Sequence, residues 1–91
     1  MDSQLKEKLD QKIQEVANRS DEIFKILESL NVLRSHSDSF SYGIVVGRLY
    51  NSFHYQCRRI LRRDPTNDEF NEFLQILNKR QKEILDSLKL S

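Results

Sequence analysis

Residues 40–63 read FSYGIVVGRLYNSFHYQCRRILRR, and this stretch contains both glycines, the only cysteine, all three tyrosines and five of the arginines of the chain. It contains no acidic residue. At about 100° per residue along a helix, its apolar side chains fall on one side and most of its basic side chains on the other. The apolar side comprises Val46, Leu49, Tyr50, Phe53, Cys57, Ile60 and Leu61. The stretch therefore predicts an amphipathic helix over residues 41–63.

Within this helix, five apolar residues repeat at alternating spacings of four and three, which is typical of a packing seam. They are Val46, Tyr50, Phe53, Cys57 and Ile60. Gly43 and Gly47 lie four residues apart beside this seam. A glycine inside a helix costs about 1 kcal/mol relative to alanine. We therefore expect a neighbouring helix backbone to approach closely at both glycines, where no Cβ stands in the way.

The composition of the whole chain favours one small helical domain, residues 1–91. Hydrophobic residues make up 37% and charged residues 32%, and two glycines with one proline leave few tight turns for a β-rich fold. The longest apolar run in residues 40–63 is residues 44–46, far short of the roughly 20 residues of a membrane span. A lone cysteine and a charged N-terminal stretch without an apolar signal segment predict a cytoplasmic location.

A long first helix is predicted over residues 3–31. Its heptad-spaced positions are Leu9, Ile13, Val16, Ser20, Ile23, Leu27 and Leu30. Ser20 interrupts the apolar seam, and Ser20 with Asp21 could cap a restarted helix. We nevertheless predict one continuous, coiled-coil-like helix with a weak middle, followed by a loop over residues 34–41 in which Ser39 or Ser41 caps the second helix.

The third helix is predicted over residues 67–88. Asp64 and Pro65 end the second helix, because the residue before proline resists helical geometry. Thr66 then fits the cap and Glu69 the reciprocal partner of a capping box. The seam of the third helix is Phe70, Leu74, Leu77, Gln81, Ile84 and Leu88, in which Gln81 is a polar interruption that could fix register.

Together these elements predict an all-α protein, an antiparallel three-helix bundle with a long first helix. The apolar stripes of the outer helices are wide enough to contact more than one neighbour. We therefore predict a homo-oligomer and a non-catalytic protein–protein interaction or assembly module. The predicted helix–helix interface residues are Leu9, Ile13, Val16, Ile23, Gly43 and Gly47.

Charge distribution supports a second hypothesis, nucleic-acid binding by a regulator or a ribonucleoprotein subunit. The net charge is only +1, yet residues 40–63 carry five basic and no acidic side chains between two mildly acidic segments. Arginine matches phosphate geometry, and an exposed tyrosine can stack on an unpaired base. The predicted contact residues are Arg48, Tyr55, Arg58, Arg59, Arg62 and Arg63. The alternative is that carboxylates of the neighbouring helices pair with these arginines.

No catalytic residue, cofactor, metal site, small-molecule substrate or membrane partner is predicted. The acidic pairs Glu69-x-x-Glu72 and Glu83-x-x-Asp86 resemble the motif of MazG-like nucleotide pyrophosphohydrolases, which are all-helical and bind magnesium. Here both pairs fall on one predicted helix, about 21 Å apart along its axis at 1.5 Å per residue, too far to share a metal. A His54-x-x-Cys57 spacing supplies only two ligands, fewer than a zinc site requires.

Overall fold

In a computed structural model, residues 1–29 and 37–88 are described, and they contain five helices and no strand. The helices are α1 (Ser3–Ala17), α2 (Ser20–Ser29), α3 (Ser37–Leu61), α4 (Asn67–Lys79) and α5 (Gln81–Ser87). The predicted all-α class is confirmed. None of the helices within these residues is both long enough and apolar enough to span a bilayer.

The first helical stretch is interrupted, so the predicted continuous helix over residues 3–31 is wrong. α1 ends at Ala17, and α2 begins at Ser20 after a turn at Asn18 and Arg19. Asn and Ser are weak helix formers, and no apolar side chain lies between Ala17 and Ile23 to hold the turn against the core. The heptad pattern does not reveal the interruption, because both α1 and Ile23 still face the core. Leu30 and the side chain of Leu27 lie outside the described residues.

α3 begins at Ser37, which places the predicted caps Ser39 and Ser41 inside the helix and makes that prediction wrong. The rest of the predicted loop, residues 34–36, lies outside the described part of the chain. The buried stripe of α3 also differs from the predicted seam: it comprises Ser41, Val45, Leu49, Phe53 and Cys57.

This stripe repeats every four residues, so it advances about 40° around the helix at each step. The rotation lets α3 contact α1 and α2 and also reach α4, where Phe53 stacks on Phe73 with ring centroids 4.6 Å apart. Tyr50, predicted to lie in the seam, is instead 41% exposed, and Val46 and Ile60 are only partly buried. The predicted seam and the buried stripe therefore share Phe53 and Cys57, but Tyr50 lies about 100° around the helix from the buried Leu49.

One continuous core joins all five helices. α1 packs on α3 and α5, α2 packs on α3, and α4 contacts α5. The buried hydrophobic residues are Leu5, Leu9, Ile13, Val16, Ile23, Val45, Leu49, Phe53, Cys57, Phe73, Leu77, Ile84 and Leu88. Because α1 contributes four of them, its inner stripe is fully used inside the chain.

The last helical stretch is also interrupted, so the predicted helix over residues 67–88 is wrong in its continuity. Arg80 ends α4 and begins α5 without a side-chain capping bond. Gln81 and Leu74, both assigned to the predicted seam, are exposed, whereas Ile84 and Leu88 are buried as predicted. Gln81 therefore marks the interruption and takes no part in fixing core register.

Candidate functional site

The outer side of α3 presents two flanks of opposite chemistry. Toward α4 lies the Tyr50 flank, which we define as Gly43, Gly47, Tyr50, Phe70 and Leu74. Toward α1 and α2 lies the arginine flank, which we define as Arg48, Ser52, Tyr55 and Arg59. The Tyr50 ring lies 6.1 Å from the Phe70 ring, and the Arg48 guanidinium lies 3.5 Å from the Glu22 carboxylate of α2. These contacts fix which neighbour each flank faces.

Both glycines of the Tyr50 flank face open space. A Cβ built on Gly43 or Gly47 meets no described atom within 4 Å, apart from its chain neighbours and the backbone of its own helix. The predicted close approach of a neighbouring helix is thus not made by the described part of this chain. Beside the glycines, Tyr50 is 41% exposed, and its ring contacts the His54 ring at 4.6 Å.

α4 completes the Tyr50 flank with apolar side chains. Phe70 is partly buried against Tyr50, and Leu74 follows one helical turn later on the same side of α4. Leu74 is 46% exposed. Sequence analysis assigned Tyr50 and Leu74 to the core, because heptad spacing alone does not indicate which of two adjacent apolar stripes is buried.

Four of the predicted interface residues lie elsewhere. Leu9, Ile13, Val16 and Ile23 are all buried in the core that α1 and α2 build with α3. Their side chains are unavailable to a second molecule while the chain holds this fold. Of the predicted interface set, only Gly43 and Gly47 lie at the surface.

The five predicted phosphate-binding arginines are not equivalent. Three of them pair with carboxylates of the chain itself. Arg63 pairs with Glu69 of α4 and Arg48 with Glu22 of α2, as the alternative predicted, and Arg58 pairs with Asp64 in the turn after α3. Among the described residues, the Arg59 side chain donates only to the Gln56 amide oxygen, at 3.3 Å. Arg62 has no side-chain hydrogen bond or ion pair to any described residue. The charges of Arg59 and Arg62 are therefore the least compensated.

Arg63 belongs to a closed polar cluster that joins α3 to α4. Its Nη1 and Nη2 donate to the two carboxylate oxygens of Glu69 at 2.7 and 3.1 Å. Glu69 also accepts from the Thr66 backbone N–H at 2.9 Å, and the Glu69 N–H donates to the Thr66 hydroxyl at 3.2 Å. The predicted capping box is thereby confirmed, with an arginine added to it.

Electrostatics hold this cluster in its ionised form. Glu69 is only 8% exposed, and the hydrogen bonds from Arg63 and then Thr66 lower the pKa of its carboxyl from the ordinary 4.5 to about 2. The same contact raises the pKa of Arg63. Arg58 similarly lowers the pKa of Asp64 by hydrogen bonding. Arg58 and Arg63 therefore form ion pairs that stabilise the turn between α3 and α4. The prediction that both bind an external phosphate loses support.

A groove between α3 and α1 runs along the arginine flank. It has a volume of about 400 Å³ and is lined by Lys12, Arg48, Asn51, Ser52, Tyr55 and Gln56. Tyr55 is 63% exposed. Sequence analysis missed Lys12, Asn51 and Gln56. Lys12 comes from a different helix, and the two amides became noticeable only once the stripe of α3 was known to be rotated.

The residues considered for catalysis or metal binding are engaged in other contacts. Glu69 binds Arg63, Glu72 lies 2.7 Å from the Met1 amino group, and Glu83 pairs with Arg80. Cys57 is fully buried, and burial raises the pKa of its thiol. Within residues 1–29 and 37–88, no group of three or more His, Cys, Asp and Glu side chains is arranged to hold a metal.

Comparison with known proteins adds no relative. A scan against protein-family models, a search of curated proteins and a search of solved structures each found no match. Function must therefore be inferred from the chemistry of the surface of α3.

Proposed function

We propose that this chain is a non-catalytic assembly module that forms a homo-oligomer through the Tyr50 flank. The observation that carries the proposal is the open space at Gly43 and Gly47 beside the exposed Tyr50 and Leu74. Two independent features therefore lie on one surface: helical glycines, which have no side chain, and large apolar side chains that are exposed.

The two glycines are costly unless another molecule uses them. Each lowers helix stability by about 1 kcal/mol relative to alanine. Neither has a positive φ that would require glycine. No described residue of the chain approaches them either. Contact with the α3 backbone of a second copy would offset this cost, because helices without Cβ atoms at the crossing can approach closely.

The adjacent apolar side chains fit the same role. Tyrosine is enriched among residues that dominate binding energy, since it offers a large rigid surface with a polar tip. In a two-fold symmetric pair each flank would meet its own copy, so a single patch supplies both sides of the interface. Tyr50 and Leu74 would then be buried at the rim of the α3–α3 crossing.

Within this proposal the five helices act as the three arms of an antiparallel bundle. α1 with α2 forms the first arm, α3 the second, and α4 with α5 the third. Support comes from the packing of α1 on both α3 and α5 and from the Phe53–Phe73 stack across the α3–α4 corner. The interruptions at Asn18–Arg19 and Arg80 would then be bends within arms.

Light scattering coupled to size-exclusion chromatography, over a wide range of protein concentration, tests the proposal. Wild-type protein should have the mass of a dimer or a larger oligomer, and a Tyr50→Lys, Leu74→Lys variant should have the mass of one chain. A Gln75→Lys, Gln81→Lys variant adds the same charge at exposed positions outside the Tyr50 flank and should keep the wild-type mass. A wild-type protein that remains monomeric throughout would refute the proposal.

Alanine at the glycines gives a second, independent test. In a monomer, Gly43→Ala with Gly47→Ala should raise the free energy of unfolding by about 1 kcal/mol per site, because the new methyl groups meet nothing. In the oligomer, the same change should weaken association. A variant that gains stability and keeps full association would show that the glycines lie outside the interface.

Nucleic-acid binding through the arginine flank is the second candidate function. The observation favouring it is that Tyr55 is 63% exposed beside Arg59, whose side chain has Gln56 as its only partner among the described residues. Arg62, whose side chain has no partner among the described residues, lies directly beyond the end of α3. α3 carries no acidic residue after Asp38, so no carboxylate of its own helix screens this flank.

An Arg59→Glu, Arg62→Glu variant separates the two candidates. If nucleic acid binds this flank, the double change should abolish binding to labelled oligonucleotides at low salt while leaving the helical content and the oligomer mass unchanged. Loss of the oligomer in this variant would instead place the arginines in the assembly interface.

A further inference from the structure

The groove between α3 and α1 combines three kinds of group on one recess. Lys12 and Arg48 contribute cations, Asn51 and Gln56 contribute amides, and Tyr55 contributes an aromatic ring. Arg59 lies at its end, since its guanidinium donates to Gln56. Cations, amides and an exposed ring are the groups that respectively contact phosphates, base edges and base faces.

The cations of the groove are weakly held by the chain. The Lys12 ammonium lies 3.5 Å from Glu15, and the Arg48 guanidinium lies 3.5 Å from Glu22. Partly exposed pairs of this kind contribute about 0–1 kcal/mol, so a phosphate can replace the carboxylates at little cost. Arg63 differs, because its bidentate hydrogen bonds to Glu69, at 2.7 and 3.1 Å, would have to be broken before it could bind a phosphate.

The ring of Tyr55 is available for stacking. None of the ring–ring contacts in the described part of the chain involves Tyr55, whereas Tyr50, Phe53, Phe70 and Phe73 all contact one another or His54. Stacking of a base on an aromatic side chain is worth about 1–3 kcal/mol per base. A duplex keeps its bases stacked on each other and offers this ring no free base face.

We propose that this groove binds single-stranded nucleic acid, with one base stacked on Tyr55 and the flanking phosphates on Lys12, Arg48 and Arg59. The proposal rests on the second candidate function. It narrows that function to this one groove and to single-stranded ligands, and it adds Lys12 to the contact residues. An acidic peptide would satisfy the cations but would leave Tyr55 without a stacking partner, so we choose the nucleic acid.

The test is fluorescence anisotropy with the full chain and labelled oligonucleotides of about 12 nucleotides, a typical length for one small single-strand site. Single-stranded RNA, single-stranded DNA of the same sequence and the duplex are compared at about 50 mM and about 200 mM salt. Single strands should bind at least tenfold more tightly than duplex. Three phosphate contacts predict a slope of about −2 for log K against log salt concentration, from about −0.7 per contact on a single strand.

Variants assign the contact to the groove. Tyr55→Ala should weaken single-strand binding about tenfold, and Tyr55→Phe should bind within about threefold of wild type because the stacking ring remains. Lys12→Gln and Arg48→Gln should each reduce the size of the salt slope by about 0.7. Arg58→Gln also removes one cation of α3, but one that pairs with Asp64 outside this groove, and it should leave the affinity for the strand within about twofold. Circular dichroism checks that each variant keeps its helices.

Each contrary outcome identifies what failed. Equal binding to strand and duplex that Tyr55→Ala does not change, yet Arg59→Glu with Arg62→Glu abolishes, overturns the groove and keeps the second candidate function. Absence of binding to every oligonucleotide at low salt overturns both. Binding of a labelled poly-glutamate peptide that Lys12→Gln and Arg48→Gln weaken, with none to single strands, assigns the groove to an acidic partner and also overturns the proposal.

Discussion

The start and the end of α4 are formed in different ways. At its start, Thr66 caps the helix, Glu69 returns a hydrogen bond to the cap, and Arg63 binds both oxygens of Glu69. At its end, Arg80 lies between the two helices as the C-cap of α4 and the N-cap of α5, and its side chain makes no capping hydrogen bond. The capping hydrogen bonds at Arg80 are made by the backbone: the Arg80 N–H donates to the Ile76 carbonyl, and the Ile84 N–H donates to the Arg80 carbonyl.

This difference shows which residues determine each boundary of α4. The start of α4 depends on residues within seven positions of one another, so side chains define it locally. The end depends on distant partners: the Arg80 side chain contacts Asp10 of α1 as well as Glu83, and Ile84 beyond it is buried in the core. A boundary held by a side-chain cap should be sensitive to a single substitution at the cap, whereas one held by packing should tolerate substitution of the exposed residues beside it.

The largest effect is expected from Glu69→Ala. It removes the acceptor of Arg63 and of the Thr66 N–H at once, and it should lower the free energy of unfolding by about 2 kcal/mol, the scale for losing a charged hydrogen-bond partner. Urea unfolding followed by circular dichroism measures this. Gln75→Ala, at an exposed position of the same helix, is the matched control and should change stability by less than about 0.5 kcal/mol. Similar losses in both variants would contradict a local origin of the boundary.

Protonation of Glu69 should produce a reversible loss of stability on acidification. The pKa of Glu69 is about 2 in the folded chain and near the ordinary 4.5 when unfolded, so the unfolded state binds the proton first as pH falls. The stabilising contribution is therefore complete above pH 4.5 and declines progressively toward pH 2. Urea midpoints measured between pH 7 and about pH 2 should fall more steeply for wild type than for Glu69→Gln. Parallel curves would mean that Glu69 does not titrate as described.

Thr66→Ala should lower the free energy of unfolding by about 1 kcal/mol, the usual cost of losing a helix N-cap. The matched change is Gln81→Ala, in the first residue of α5 just after the break that ends α4, where no side-chain cap exists to lose. That change should stay within about 0.5 kcal/mol. Thermal unfolding of the two variants in parallel compares the two losses of stability. An equal loss in both variants would contradict the distinction between the start and the end of α4.

The smallest effect has the opposite sign. Arg62 follows the last residue of α3 with a φ of 61°, a left-handed conformation that costs a non-glycine residue about 1 kcal/mol. Arg62→Gly relieves that cost and should raise the free energy of unfolding by about 0.5 kcal/mol after the added chain entropy of glycine. Denaturant midpoints would detect it. Arg62→Ala, which keeps a Cβ, should not produce the gain.

Several features could be predicted from the sequence because they depend on near neighbours. The helical class, a break between α3 and α4 near Asp64–Pro65 and the Thr66–Glu69 capping box all follow from residue preferences and short-range hydrogen bonds. The predicted end of the second helix at residue 63 is two residues too late, because α3 ends at Leu61 and Arg62 already has a left-handed φ. For the candidate site, the sequence correctly identified an α3 that is basic on one side and apolar on another. It raised carboxylate pairing as an alternative but could not indicate which arginines pair. The contacts of Arg58 with Asp64 and of Arg63 with Glu69 form only when the chain turns between α3 and α4.

Tertiary packing decided which stripe of each helix is inside. Residues 40–63 contain enough apolar side chains for two adjacent stripes, and the spacing of Tyr50 satisfies the periodicity of a seam as well as that of Leu49 does. The core selected Leu49 because the four-residue stripe of α3 contacts α1, α2 and α4 together, and this left Tyr50, Gly43 and Gly47 outside. Local preference determined that these residues form helices. Which faces remained exposed depended on the simultaneous fit of several helices to one core, which no single segment encodes.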